Sequence, residues 1–410
     1  MHAESQPAHA FAGAFAANPD FDYEVRGAIG ATVGGGGDIG EILAAVRDVK
    51  PKDHEGWFAA WRGLGERVLA QADASAARGH NVSAAAAYLR AACYLGRAVN
   101  AVASLPSDDA LLPTFRAHLG AWERYVDTVA TTVERLAIPY EGGSLPGYLF
   151  SPAADGAARP TLVLNLGSDE SIADAWVGAG PAALARGYRV LVFVGPGQQE
   201  LLFERDVPFR HDWEAVLTPV VDALVARPDV DAKRLAVWGV SQAGYWVPRA
   251  LAYEHRFAAA IVDPGVVDVS TSWLGHMPKG MVKLAEDGEH EKFDHEMAIG
   301  MRFSAETART WRFRARPYGA DGYAATVSKV LTYRLTETEG AAISTPMLIT
   351  APEHEQFWPG QSAQLAALAP TVSTLVEFTA AEGGDLHCEP LAHSLLAARA
   401  FDWLDERLAG

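Results

Sequence analysis

Gly239-Val240-Ser241-Gln242-Ala243-Gly244 is the segment of this chain whose residue types and spacing best suit covalent chemistry. It follows the apolar run Arg234 to Trp238 and precedes a helical stretch. A serine between small residues at a strand-to-helix turn reads as a nucleophile elbow. Small neighbours let the backbone segments close in, and the turn lifts the hydroxyl of Ser241 above the sheet. The first free N–H groups of the helix then point at the carbonyl under attack, which makes the Gln242 amide an oxyanion donor. A serine hydroxyl stays inert until a base takes its proton, and the base needs an acid to orient it.

With this kind of elbow the three groups follow in the order serine, acid, histidine. Thirteen histidines compete for the base. His387 ends the loop Ala380-Ala381-Glu382-Gly383-Gly384-Asp385-Leu386-His387, which follows the last apolar run, Thr374 to Phe378. A Gly-Gly loop there can carry a base over the elbow, whereas His393 falls in the next helix. For the acid, the run Met347 to Thr350 leads into Glu353-His354-Glu355-Gln356-Phe357-Trp358-Pro359. An acid four places before a proline selects Glu355, with Glu353 its neighbour and Asp263, at the end of the preceding run, the alternative seat. The second oxyanion donor is expected after the run Thr161 to Leu166, in Gly167-Ser168-Asp169-Glu170, with the Ser168 amide first and Asp169 next.

The elements that must position these groups can be read from periodicity. Up to about residue 135 the chain reads as helical: Ala is frequent, and Trp57, Trp61 and Leu64 share one face. From Glu134 the texture changes to a hairpin, Glu134 to Pro139 and Leu145 to Ser151 around Gly142-Gly143. Short apolar runs then alternate with helical stretches, which predicts a mostly parallel sheet covered on both faces. Between Asp263 and Pro346 the gap is too long for a connection. It holds Met277, Met281, Met297 and Met301 with many aromatic residues, and reads as a helical lid over the C-terminal sheet edge. The division expected is 1–132 helical, 133–264 first part of the α/β core, 265–345 lid and 346–410 second part of the core. Tyr245, Trp246, Trp273, Met277, Met281 and Phe303 are the expected substrate-pocket residues.

Composition narrows the class. With 34 Lys+Arg against 51 Asp+Glu the formal net charge is −17, which argues against a nucleic-acid or anionic-membrane surface. Two cysteines, Cys93 and Cys388, make neither a disulfide framework nor a Cys-rich zinc site. No apolar run is long enough to span a membrane. The small apolar stretch His9 to Ala17 lacks the basic start of a secretory signal, so a cytoplasmic protein is expected.

Three other patterns carry less. Gly35-Gly36-Gly37-Asp38-Ile39-Gly40 matches a dinucleotide fingerprint, but no buried strand precedes it and Asp38 would oppose a pyrophosphate. His290 and His295 are five apart and point to different helix faces, so no metal is expected. Arg309, Arg312, Arg314 and Arg316 form a basic cluster, read first as solvated or salt-bridged in the lid, and otherwise as a contact for a substrate carboxylate or carrier phosphate.

Taken together, Trp57 to Arg97, Gly195-Pro196-Gly197-Gln198, Gly239 to Gly244, Glu355 to Gln361 (EQFWPGQ) and Asp385 to Cys388 (DLHC) resemble the α/β-hydrolase superfamily. The similarity is to the branch with an N-terminal helical domain. That branch includes fermentation-respiration-switch esterases, 2,6-dihydroxypseudooxynicotine hydrolase and fungal hydrolases that shorten polyketide pigment precursors. Many relatives carry aspartate where this chain has Glu355. The resemblance implies an α/β-hydrolase fold and hydrolysis of an ester or of a carbon–carbon bond beside a ketone in an aromatic or acyl small molecule. It implies no cofactor, and it favours a homodimer. A thioesterase, acyltransferase or cyclase would use the same serine, and a non-catalytic binding protein would share only the fold.

Overall fold

The computed structural model describes residues 14–409, apart from the side chains at 305 and 306. His9 to Gly13 of the apolar N-terminal stretch therefore lie outside the described residues. Eight strands form one sheet: β1 (Thr132–Tyr140), β2 (Gly143–Ser151), β3 (Arg159–Asn165), β4 (Arg189–Phe193), β5 (Val230–Val240), β6 (Ala259–Asp263), β7 (Met347–Pro352) and β8 (Ser373–Phe378). Their order is β1-β2-β4-β3-β5-β6-β7-β8. The β1–β2 hairpin joins β4 antiparallel, and every neighbour pair from β4 to β8 is parallel. This is the α/β-hydrolase architecture. The apolar runs of β3 to β7 are buried because helices cover both faces, so these strands lack a polar alternate position.

Two differences from the sequence reading have simple causes. The hairpin turn is Glu141-Gly142, both in the left-handed region (φ 42° and 79°), while Gly143 already belongs to β2. A two-residue turn with both residues at positive φ matches the twist of the flanking strands. The Gly-rich segment at 34–37 closes a short 3-10 turn, and Asp38 caps the helix Ile39–Val46 by accepting from the Glu41 amide. Its carboxylate is a helix cap.

The N-terminal helices pack on themselves and on the sheet. His54–Ala76 buries Trp57, Trp61 and Leu64 against Asn81–Ala101, whose many small alanines allow close approach. Helix Leu111–Thr128 sends Trp122 and Tyr125 toward β2, where Phe150 stacks on Trp176 at 3.7 Å. Between β6 and β7 the chain forms a helical insertion that includes His290–Phe303 and Ala305–Ala315, with its own small core around Phe293, Ala324 and Val327. No helix among the described residues is long and apolar enough to cross a membrane.

Candidate active site

At the end of β5 the chain turns into helix Ala243–Leu251 through Ser241, which takes φ 56°. A left-handed serine is costly, and the surroundings hold it there. Its amide donates to the Asp263 carbonyl at 2.6 Å, and the Gly244 amide donates back to the Ser241 carbonyl at 2.8 Å. A Cβ on Gly239 would come within 2.7 Å of the Ala243 carbonyl oxygen, and one on Gly244 within 1.8 Å of the Pro264 carbonyl oxygen. The small residues are therefore required by backbone contacts.

The structure brings Ser241, His387 and Glu355 into one chain of hydrogen bonds. His387 Nε2 lies 2.9 Å from Ser241 Oγ, and His387 Nδ1 lies 2.8 Å from Glu355 Oε2. The Glu355 and His387 side chains are each 5% exposed, so this pair is shielded from solvent. The other carboxylate oxygen of Glu355 accepts from the amides of Phe357 (2.9 Å) and Trp358 (3.1 Å), which fixes the carboxylate after β7. Burial alone would raise its pKa. The His387 imidazole and these amides outweigh it and hold the carboxyl below the ordinary value.

His387 is clamped from several sides. Phe357 meets its ring edge-on at 4.7 Å, and Trp358 lies at 5.6 Å. Its amide donates to Gln356 Oε1 at 3.0 Å, and its carbonyl accepts from the Tyr23 hydroxyl at 2.9 Å. Cys388 and Glu389 then take φ 56° and 42°, reversing the chain immediately after the base. Tyr23 comes from helix Pro19–Gly30, so the N-terminal helices reach the site directly.

Asp263, the alternative acid, makes no hydrogen bond to the His387 ring, whose partners among the described residues are Ser241 and Glu355. It accepts from the Thr350 hydroxyl at 2.7 Å. Asp263 and Glu389 are 1% and 0% exposed, and neither makes an ion pair with Lys or Arg among the described residues. Burial pushes both carboxyls up, Glu389 well above its ordinary value because the Asp263 charge adds to the effect. Neither carboxyl oxygen of Glu389 has a hydrogen-bond partner among the described residues, so burial and the neighbouring Asp263 charge both disfavour its ionised form. The Asp263 carbonyl ties the serine turn to the histidine loop, accepting from the Ser241 amide at 2.6 Å and from the Cys388 thiol at 3.4 Å.

The oxyanion loop after β3 runs against the elbow: a Cβ on Gly167 would sit 3.1 Å from Ser241 Cβ. The Gly167 amide is taken by Glu170 Oε2 at 3.0 Å, and Gln198 Nε2 donates to the Leu166 and Gly167 carbonyls at 2.8 and 2.9 Å. The backbone N–H groups of Ser168 and Gln242 donate to no protein acceptor among the described residues. Burial pushes the Glu170 carboxyl up to about 8, helped by Asp174, Asp169 and Asp263 and opposed by the Gly167 amide.

Several residues expected in the pocket lie elsewhere. Tyr245 and Trp246 are fully buried: the Tyr245 hydroxyl donates to the His211 carbonyl, and the Trp246 indole donates to the Arg210 carbonyl and stacks on Trp213 at 4.4 Å. They face down into the core because the elbow helix packs there. Met277 and Met281 pack on the lid's own core, and Phe303 is 87% exposed at the end of a lid helix. Trp273 packs edge-on against Trp311 and Tyr318, and the Tyr318 hydroxyl reaches Gln242 Oε1 at 3.4 Å. A separate cavity, which reaches the oxyanion loop only at Asp169, is walled by the N-terminal helices and the lid. It holds about 170 Å³ and is lined by residues including Phe21, Trp57, Arg97, Asp169, Arg309 and Arg314.

Comparison with known proteins places the chain among hydrolases. The model of the prolyl oligopeptidase family matches residues 217–300, which include the serine turn. The chain is 30% identical over 402 residues to Hydrolase LUC6 of Fusarium sp, covering 94% of this chain and 96% of that protein. It is 30% identical over 418 residues to the α/β hydrolase psoB of Aspergillus fumigatus, covering 95% and 93%. Among solved structures, 2,6-dihydroxy-pseudo-oxynicotine hydrolase superposes with a TM-score of 0.72 at 21% identity, covering 92% of this chain and 95% of that one.

Proposed function

Because this chain belongs to the α/β-hydrolase family, we propose that it is a serine hydrolase that cleaves an acyl bond in an aromatic or polyketide-like substrate. The observation that carries this reading is the unbroken relay from Ser241 through His387 to Glu355. His387 Nε2 takes the hydroxyl proton as Ser241 Oγ adds to the substrate carbonyl, and Glu355 stabilises the imidazolium. The Ser168 and Gln242 amides, with no protein acceptor of their own, receive the oxyanion. Collapse breaks the bond to the leaving group, which takes the proton back from His387. Water, deprotonated by the same histidine, then releases the acid and restores Ser241.

The leaving group is an alkoxide in an ester. In the carbon–carbon case it is a carbanion, which a neighbouring carbonyl or aromatic ring must stabilise. The carbon–carbon reaction is the preferred version, supported by the aromatic surroundings of the histidine, Phe357 and Trp358, and by the family resemblance. The test is turnover of a 4-nitrophenyl ester and of a 1-aryl-1,3-diketone, with Ser241→Ala as control. Release of a carboxylic acid plus a methyl ketone from the diketone supports the carbon–carbon version. Turnover of the ester alone supports the esterase version, and undiminished turnover by Ser241→Ala refutes both.

A further inference from the structure

The four lid arginines divide into two pairs with different surroundings. Arg312 pairs with Asp108 at 2.8 Å and donates to the Leu105 and Pro106 carbonyls, and Arg316 lies 3.8 Å from the same Asp108. These two fasten the lid to the N-terminal helices. Arg309 and Arg314 make no ion pair among the described residues, and both line the cavity between the lid and those helices. Arg314 also approaches a residue that packs on the base. Its guanidinium lies 5.7 Å from the centre of the Phe357 ring, which itself packs on His387. On the other side its charge acts on Tyr318, whose hydroxyl contacts Gln242. One guanidinium is thus a single side chain away from both the base and the residue following the nucleophile.

We propose that Arg314, with Arg309 behind it, forms a subsite for a carboxylate carried by the acyl substrate away from the bond that breaks. This deepens the serine-hydrolase reading and rests on it. The chemistry suits the group. A planar guanidinium with no resident carboxylate offers bidentate hydrogen bonds to an oxyacid, and its ring contact with Phe357 leaves its edge donors free. Phe21 and Trp57, stacked on each other, add an apolar edge to the same cavity, and the Arg97 guanidinium is already held by Glu24 (3.1 Å) and Asp174 (3.3 Å). Asp20, Glu24 and Asp169 also line the cavity, so an anion there depends on the lid arginines to offset them.

The experiment compares 4-nitrophenyl monoesters of dicarboxylic acids of increasing chain length with the same esters methylated at the free acid. The full chain is used throughout, with Arg314→Gln, Arg314→Lys and Arg309→Gln as variants. Wild type is expected to prefer one anionic ester over its neutral partner by about tenfold in kcat/KM, mostly through KM, at the low end for a partly solvated charge-assisted contact. The preference should shrink as salt is raised. Arg314→Gln should bring the ratio close to unity, with Arg314→Lys restoring part of it and Arg309→Gln reducing it less. Equal rates for both ester series in wild type would overturn the subsite while leaving the hydrolase intact. Equal slowing of both series in Arg314→Gln would overturn it too, by assigning Arg314 to holding the lid. Absence of turnover with either series, in an enzyme that also resists a serine-directed phosphonate, would strike the underlying hydrolase reading instead.

Discussion

Replacing Glu355 by glutamine isolates the part of the relay that orients the base. Glutamine fills the same volume, and its carbonyl oxygen can still accept from the Phe357 and Trp358 amides, now 2.9 and 3.1 Å from Glu355 Oε1. The other terminal group becomes NH₂ and faces His387 Nδ1, where Glu355 Oε2 now lies at 2.8 Å. Two donors cannot share that contact. The imidazole must shift its proton to Nε2, which removes the lone pair that accepts from Ser241, or turn away. In either case the imidazolium also loses its buried counter-charge. The expected loss is about a thousandfold to ten-thousandfold in kcat, about 4 to 5 kcal/mol of barrier, with KM little changed. Burial raises the Glu355 pKa and the histidine and amides bring it down, for a net depression. Its contribution to stability is therefore present above the unfolded value, about 4, and is lost as pH falls through the folded value. The variant should lack that part of the acid limb in a melting-temperature series. Steady-state kinetics on a 4-nitrophenyl ester, with thermal melts to show a folded protein, provides the assay. A loss of less than about tenfold in a folded variant would refute Glu355 as the orienting acid.

Three further outcomes follow from the same contacts. Tyr23→Phe keeps the ring against Phe357 but removes the donor to the His387 carbonyl, and should lower kcat by about threefold to tenfold without unfolding the chain, read by kinetics beside a melt. Glu170→Gln keeps an acceptor for the Gly167 amide and cannot ionise. Wild type should lose kcat/KM as pH rises through about 8, because a carboxylate then forms beside the oxyanion loop, and the variant should not; coincident alkaline limbs would contradict this. Glu389→Gln removes the ionisable group. Since the folded pKa of Glu389 is raised, wild-type stability falls as pH rises above the unfolded value, about 4, so the melting-temperature difference should move in the variant's favour from there upward. A difference independent of pH would show that Glu389 is not protonated in the folded chain.

The serine turn was legible because local physics dictates it: a buried run, a helix start, and glycines that backbone contacts require at 239 and 244. His387 and Glu355 were legible from their places after the last two strands, where loop composition and the spacing to Pro359 narrowed the choice. The surroundings of the expected pocket residues were less legible. Tyr245 and Trp246 follow the nucleophile in sequence, yet the helix that carries them turns both rings into the core, a matter of helix rotation that adjacency does not reveal. Phe303, Met277 and Met281 were grouped by composition, whereas packing sends the two methionines onto the lid's own core and Phe303 into solvent. Tyr23 is 364 residues from His387, and no local pattern marks such a contact. Glu170 was in plain view in the oxyanion loop, and an acid among Gly and Ser residues was the available signal. Its contact with Gly167 needed the fold.

The most direct test of the central claim is intact mass after exposure to a fluorophosphonate, on wild type and on Ser241→Ala. An activated serine should give one covalent adduct on wild type, none on Ser241→Ala, and much slower labelling in Glu355→Gln. An adduct of equal yield on Ser241→Ala, or none on a wild-type chain that melts cooperatively, would contradict the account of Ser241 as the nucleophile.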